Sequence, residues 1–316
     1  LPLDPPGSQE GSLGAAITLG AGGSLRHLYG APRDHVLGVT LVSGDGRILR
    51  WGGQVVKNVA GFDLTRLTVG SWGTLGVVTS VSARLFPVPE MDVTLLLQGA
   101  HAMELLPAAR AMALSPLPLA SVELMAPGPA EAAAALAVRV MGSRAEVAEM
   151  ESRVLKELGK GAGVTQRFEG DRTRHLHSSA DDWEKGYALV VRLALPAAAL
   201  QTLLEEAGEI RGLASGFGVE AKTGLAAHVG AGVLRVAVSE LPPEESSLVA
   251  WTSCLQGIRS RLEAQGGSLA LSWGPDLLMR EVGPWGSDQD AGRLMVGLKE
   301  QFDPAGILAP GRLGLT

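Results

Sequence analysis

The sequence predicts an α+β fold, and three observations carry that reading. Glycine-punctuated β-like runs fill residues 1–90. Strand-like runs then alternate with amphipathic helical stretches over 91–274, and a helix with a Pro/Gly-broken tail closes the chain over 275–316. The expected organisation is therefore three segments: 1–90, 91–274 and 275–316. In the middle segment, helices should pack on one face of an antiparallel sheet.

Within 1–90 the apolar run 36–42 is followed by Ser43-Gly44-Asp45-Gly46 and a second run over 47–51, which reads as a hairpin. Residues 74–88 read as a strand pair or one long strand stopped by Pro87 and Pro89. In the middle segment a strand over 92–98 leads into a helix over 101–114, where Pro107 should kink or break the backbone. Further strands are expected at 121–125 and 133–141. The clearest helix spans 143–160. Ser143 and Glu146 form a capping box, Val147, Met150, Val154, Leu155 and Leu158 follow helical spacing, and Gly159 stops the run. Strands at 164–168, 187–195, 233–238 and 268–273 then alternate with helices at 171–185, 197–211 and 243–265. A last helix over 288–301 ends in Phe302-Asp303-Pro304, beyond which the tail cannot stay helical.

Composition narrows the function. At 316 residues and 46% hydrophobic, the chain can bury a sizeable core without staples. A net charge of −6 with 4% aromatics is the wrong balance for a nucleic-acid surface. The single cysteine, Cys254, excludes a disulfide framework or an iron–sulfur cluster held by this chain alone, and fits a reducing compartment. Its apolar neighbours Trp251, Leu255 and Ile258 predict a buried, inert thiol. No apolar run reaches 18 residues and no leader pattern opens the chain, so a soluble protein without a membrane span is expected.

The common chemical motifs are absent. Gly20-Ala21-Gly22-Gly23-Ser24-Leu25 has two of the three glycines of a dinucleotide fingerprint but ends on leucine. There is no Walker A, His-Glu-x-x-His or Gly-x-Ser-x-Gly sequence. His175 and His177 are the only neighbouring histidines, and at i, i+2 on a helix they do not share a face. Surface positions are expected for both, and no metal site.

What remains is an ordered series in the first ninety residues. It runs Ser12-Leu13-Gly14-Ala15-Ala16, Gly22-Gly23, Tyr29-Gly30-x-x-Arg33-Asp34, Lys57-Asn58-x-x-Gly61-Phe62-Asp63, and Gly70-Ser71-x-Gly73-Thr74-Leu75-Gly76-Val77. Any one of these reads most simply as a tight turn. Several glycine loops in series let backbone N–H groups come close to a pyrophosphate or a flavin edge.

Together with Asp4-Pro5-Pro6-Gly7, Val282-Gly283-Pro284-Trp285-Gly286 and the terminal Phe302-Asp303-Pro304…Pro310-Gly311-Arg312, this series resembles the FAD-binding fold of the vanillyl-alcohol oxidase / p-cresol methylhydroxylase (PCMH) type. Within that family it is most similar to the FAD-binding (GlcE-like) subunits of bacterial glycolate oxidases. The resemblance implies the second half of a PCMH-type FAD-binding domain in 1–90, an α+β cap with an antiparallel sheet in 91–274, and a tail in 275–316 returning to the FAD domain. It implies FAD contacts at Ser12, Gly14, Ala15, Gly70, Thr74, Gly76, Val77 and Pro310. At position 309 many relatives carry Asn where this chain has alanine. The family's first FAD subdomain, with its own glycine loop, has no counterpart in the sequence, so half a cradle is expected and weak FAD binding with it. Catalytic relatives carry a His-x-x-Asp-Gly-Asn motif on the cap. His228-Val229-Gly230-Ala231-Gly232 lacks its Asp and Asn, so no metal is expected there.

The implied function is that of an FAD-dependent subunit oxidising a 2-hydroxy acid, glycolate to glyoxylate. A homologous flavoprotein subunit and an iron–sulfur subunit would be its partners, in the cytoplasm at the inner face of the membrane. The alternative is a truncated, non-catalytic assembly subunit that no longer holds FAD. Arg33, Lys57 and Arg280 are the cations that could hold a carboxylate, and the sequence assigns no catalytic base.

Overall fold

The computed structural model describes residues 1–5, 11–53, 62–127, 133–159, 164–184, 186–217, 223–242, 244–283, 285–286 and 289–312. They fold as two compact units, Leu1–Val88 with Ser287–Thr316, and Pro89–Gly286.

The first unit begins with three short helices, α1 (Leu13–Leu19), α2 (Arg26–Tyr29) and α3 (Pro32–His35). Strands β1 (Val36–Val42) and β2 (Ile48–Gly52), helix α4 (Leu64–Thr68) and strand β3 (Val77–Ala83) follow. The hairpin expected around Ser43–Gly46 forms as β1–β2, closed by the Ser43 N–H on the Arg47 carbonyl at 3.0 Å. β3 pairs with the other edge of β1, giving a three-stranded antiparallel sheet in the order β2-β1-β3. Residues 74–88 thus supply one strand, not a pair. α1 corrects the sequence reading, which took this stretch for a glycine turn between β-like runs. Ser12 caps its N-terminus by accepting from the Ala15 N–H at 3.1 Å, and Gly20, at φ +63°, ends it. The Ser…Gly signature of a capped helix was present, hidden by Gly14. Ile17, Val36, Val39 and Leu41 form the small core of this unit.

The second unit is larger. It contains β4 (Met91–Gly99), α5 (Ala102–Ala113), β5 (Ser121–Pro127), β6 (Ala134–Gly142), α6 (Arg144–Leu158), β7 (Val164–Glu169), α7 (Asp171–Asp182), β8 (Leu189–Ala194), α8 (Leu200–Gly216), β9 (Thr223–His228), β10 (Val233–Val238), α9 (Glu245–Glu263), β11 (Ser268–Trp273) and α10 (Asp276–Glu281). Its eight strands form one antiparallel sheet in the order β11-β8-β10-β9-β5-β6-β4-β7. The sequence reading missed β9. Its run Thr-Gly-Leu-Ala-Ala-His is buried along its whole length, so the polar/apolar alternation that marks a half-exposed strand is absent. α5 runs unbroken through Pro107. The proline sits on the exposed side, where water can satisfy the carbonyl that its missing N–H leaves free.

Period-two alternation gives this sheet two unlike faces. Val93, Leu95, Val138, Val122, Leu124, Leu225, Leu234, Val236, Val191 and Leu269 face the packing helices α5, α6, α8 and α9 and join the main core. Asp92, Thr94, Arg139, Ser121, Glu123, His228, Arg235 and Arg192 fall in register on the other face. The sequence tail, read from 275, divides: α10 packs on α9, and Arg259 Nη2 donates to the Gly283 carbonyl at 2.8 Å. α11 (Gln289–Phe302) and the turn-rich 303–312 belong to the first unit.

The capping box of α6 forms as the sequence requires, with Glu146 accepting from both the Ser143 N–H and its hydroxyl at 2.7 Å. Replacing Ser143 by alanine is expected to cost about 1 kcal/mol of stability. Urea titration of the two proteins checks this, and an unchanged midpoint would refute the cap's contribution.

Candidate functional site

Two regions hold chemistry, one in each unit. In the first unit, Ser12, Gly14 and Ala15 sit on the opening turn of α1. Ser12 and Ala15 line a hollow of about 240 Å³ with Leu1, Leu3, Pro5, Gly11, Leu13, Ala16, Leu19 and Ala21. Leucines, a proline and small residues make this wall largely apolar, the kind of surface that an apolar ring packs against. Gly14 faces Val78 of β3, and a Cβ there would meet only ordinary contacts, so its role is not steric.

Gly70, Thr74, Gly76 and Val77 lie on the turn into β3. Gly70 (φ +82°) donates its N–H to the Ile17 carbonyl at 3.2 Å, which ties the turn to the end of α1. Gly76 is required sterically: a Cβ would stand 2.3 Å from Leu41 Cδ1 and 2.8 Å from the Val42 carbonyl oxygen. Thr74 is buried, its hydroxyl turned back to the Ser71 carbonyl at 2.6 Å. Val77 is exposed at the head of β3.

Pro310 borders a second hollow of about 360 Å³, with Lys299, Asp303 and Gly306. Lys299 joins these parts. Its ammonium donates to the Thr74 carbonyl at 3.0 Å, to the Leu308 carbonyl at 2.6 Å and to the Asp303 carboxylate. Asp303 also accepts the N–H groups of Ile307 and Leu308, so the Phe-Asp-Pro motif is a turn-fixing knot. Ala309 adopts φ +41°, a left-handed conformation that asparagine tolerates better than other non-glycine residues.

One expectation needs correction. The Gly22-Gly23 amides were read as open to a phosphate. Instead the Asp4 carboxylate already accepts from the Gly23 N–H at 3.1 Å, the Leu25 N–H at 3.0 Å and the Ser24 hydroxyl at 2.9 Å. Arg33 and Arg280 are both exposed, the first in the smaller unit and the second in the larger. Lys57, with Val56–Gly61 of the Lys-Asn-x-x-Gly motif, lies outside the described residues, as do Pro6, Gly7 and Pro284.

The second region is the polar face of the eight-stranded sheet, which motif reading did not find. Arg139 of β6 forks onto Asp92 of β4 through Nε and Nη2, at 2.8 and 2.7 Å, with both groups buried. His177 of α7 reaches Thr94 at 3.1 Å. His228 Nδ1 at the end of β9 stands 2.6 Å from the Glu123 carboxylate of β5, again buried. Arg235 of β10 meets Glu184 at 2.9 Å. The Trp183 ring packs against Gly224, where an added Cβ would fall 2.1 Å from it. The signal available in the sequence was a polar residue at alternate positions of several strands. Only the strand order brings them into one cluster.

Burial sets the ionisation here. His177 is buried, against the expected surface position, and desolvation, then the nearby charges of Arg139 and His228, push its imidazole down to about 3. Burial also raises the Glu184 carboxyl above its ordinary range, against the pull of Arg235. Cys254 is half-buried. Against the expected full burial, its thiol is partly accessible, but burial and Glu209, 3.6 Å away, push it up to about 12, which keeps it protonated at neutral pH. Among the described residues no three His, Cys, Asp or Glu side chains converge as a metal-holding group, and no helix is long and apolar enough to cross a membrane.

Two family descriptions match the chain: residues 1–52 an FAD binding domain, and residues 91–313 the C-terminal domain of FAD linked oxidases. The second match takes in more than half of the chain, and the chain belongs to the FAD-linked oxidases, whose cofactor is FAD. The chain is 45% identical to the glycolate oxidase subunit GlcE of Escherichia coli over 96 residues, 30% of this chain and 27% of that protein. It is 43% identical to a D-lactate dehydrogenase of Archaeoglobus fulgidus over 91 residues, 29% of this chain and 20% of that one. The matched stretches thus span about a quarter or less of these curated relatives. An alkyldihydroxyacetonephosphate synthase structure shares the fold, with a TM-score of 0.68 and 16% identity over 99% of this chain and 61% of that chain.

FAD can be tested against the residues present. The α1 hollow, largely apolar and lined also by Ser12, fits part of such a molecule. At about 240 Å³ it falls below the 300–1,000 Å³ usual for ligand pockets, so its walls would line one side of such a molecule without enclosing it.

The depressed His177 has a consequence for stability. Between pH 6.5 and about 3 the unfolded chain binds a proton that the native state refuses, so this contribution is full above pH 6.5 and is lost as pH falls. About 2 kcal/mol should disappear between pH 7 and 5. Denaturation midpoints across that range are expected to fall, and His177→Gln should flatten the slope. A wild-type profile level from pH 7 to 5 would contradict it.

Proposed function

We propose that this chain is the FAD-binding subunit of a glycolate oxidase-type complex, which oxidises a small 2-hydroxy acid such as glycolate and passes the electrons to an iron–sulfur partner. The first unit holds the cofactor through the α1 wall (Ser12, Gly14, Ala15), the Gly70–Val77 turn and Pro310. The second unit acts as the cap that receives substrate. The observation that carries the catalytic part is the buried His228–Glu123 pair on the polar sheet face.

FAD, when bound, supplies the two-electron acceptor. The chain's own residues manage the proton. Glu123, 2.6 Å from His228 Nδ1, orients the ring and stabilises the positive charge that arises when Nε2 takes the substrate's hydroxyl proton. The low-dielectric surroundings of the pair strengthen that stabilisation. A single cysteine cannot hold an iron–sulfur cluster, so on this reading the electrons pass to an iron–sulfur partner and the complex works in the cytoplasm.

A second reading has its own support. Asp4 occupies the Gly23 and Leu25 amides, leaving fewer donors for a diphosphate, as suits an assembly subunit that does not hold FAD. One preparation separates the two. On the first reading the purified protein, supplied with FAD, takes it up and absorbs near about 450 nm. His228→Asn then lowers kcat for glycolate or D-lactate by about 100-fold or more with flavin content unchanged. A protein that stays colourless in excess FAD would overturn the flavoprotein reading. Undiminished turnover by His228→Asn would overturn the role of the dyad.

A further inference from the structure

The helices on the core face of the large sheet are held there by apolar side chains; α6, for example, buries Val147, Met150 and Val154. α7 is held differently. It packs on β7 and β4, and His177 reaches the polar side of the sheet at Thr94. Among its described side chains only Thr173 and His177 are buried, with Leu176 half-buried. His177 Nε2 meets the Thr94 hydroxyl at 3.1 Å. Its Nδ1 and the Thr173 hydroxyl are buried without a hydrogen-bond partner among the described residues, which weakens the attachment. Gly170 at the N-cap supplies no capping side chain and stands at φ +60°, with nothing within 4 Å of the place a Cβ would take. At the far end the Trp183 ring on Gly224 and the Glu184–Arg235 pair anchor the chain. An element with so few buried apolar contacts opens before the strands beneath it.

The charges around His177 leave no room for another cation. Arg139 of β6 and His228 of β9 both oppose a proton on the ring, and burial with these two neighbours pushes it down to about 3. The nearby carboxylates are already paired: Asp92 of β4 with Arg139, Glu123 of β5 with His228, Glu184 with Arg235. On β7, Arg167 and Glu169 bond to each other, and Arg167 also reaches Glu151 of α6 on the core side. Asp171, Arg172, Arg174 and His175 of α7 itself are exposed. An imidazolium at this position is stable only in water.

We propose that α7 is a cover over this end of the polar face, and that it lifts when His177 takes a proton from solvent. Lifting carries the ring into water and bares Thr94 and the Arg139–Asp92 fork; loss of the proton lets the helix close again. The closed state refuses a proton that the open state binds with ordinary affinity. Closure is therefore complete above about pH 6.5 and weakens steadily as pH falls toward 3. The device goes beyond the oxidase reading and does not depend on it.

Hydrogen exchange on the whole chain tests this, with rates corrected for the intrinsic effect of pH. The opening constant of amides 171–178 is expected to rise about thirtyfold from pH 7.5 to pH 5, the gain of one imidazole released to its ordinary affinity. These amides should exchange well ahead of those in β4 and β6. His177→Gln should abolish the rise. Thr94→Val, which removes only the neutral partner, should increase opening at both pH values and keep the thirtyfold ratio; circular dichroism checks that both variants fold. Corrected exchange of α7 that is level from pH 7.5 to 5 in the wild-type protein would overturn the proposal, whatever the variants do. So would an undiminished rise in His177→Gln, or exchange of α7 only together with the strands beneath it.

Discussion

The pleat of the eight-stranded sheet constrains everything else in the larger unit. Successive side chains must point to opposite faces, and between β4, β6, β5, β9, β10 and β8 the pairing runs without a bulge. One face is therefore committed to the aliphatic core under α5, α6, α8 and α9. A single-residue slip would send Val93, Leu95 and Val138 to the polar side and Asp92, Thr94 and Arg139 into the core. The cost of burying those unpaired groups fixes the register, and the register in turn fixes which polar side chains meet.

The polar face shows how such a surface is made tolerable. Each buried charge has a partner on a neighbouring strand or on the covering segment: Arg139 with Asp92, His228 with Glu123, Arg235 with Glu184. Buried pairs of this kind contribute little net stability beyond what an apolar packing would, because desolvation offsets most of their attraction. Their retention makes better sense as preparation for a charged or proton-exchanging ligand, which is why the functional reading places the substrate there. The ordinary explanation for His177, a satisfied core histidine, holds only on the side of Thr94, since Nδ1 has no hydrogen-bond partner among the described residues.

In the smaller unit most polar chemistry is spent on holding irregular backbone. Lys299 neutralises Asp303 and gathers the Thr74 and Leu308 carbonyls, so one ammonium joins the last helix, the tail and the turn before β3. Gly44 must be glycine for that knot to close, because a Cβ would stand 2.1 Å from Asp303 Oδ1. Much of the glycine richness near the start of the chain serves such close approaches. The close approach of Gly76 to Leu41 and the Gly23 and Leu25 amides held on Asp4 are structural necessities first, and a flavin would contact what they leave exposed.

Local physics determined a good deal by itself. The hairpin at Ser43–Gly46, the α6 capping box and the alternation of strands and helices after residue 90 follow from nearest-neighbour sterics and hydrogen bonding, so the sequence alone specified them. The series from Ser12 to Val77 and the Phe-Asp-Pro tail likewise pointed to the family. β9 was out of reach, because a strand buried on both faces has no polar alternation to announce it. The same holds for the His228–Glu123 and Arg139–Asp92 pairs, whose members come from strands far apart in the chain. Side-chain identity says which charges exist. Only the strand order, set by burial of the opposite face, decides which of them stand together, and that decision made a candidate site out of residues with no motif in common.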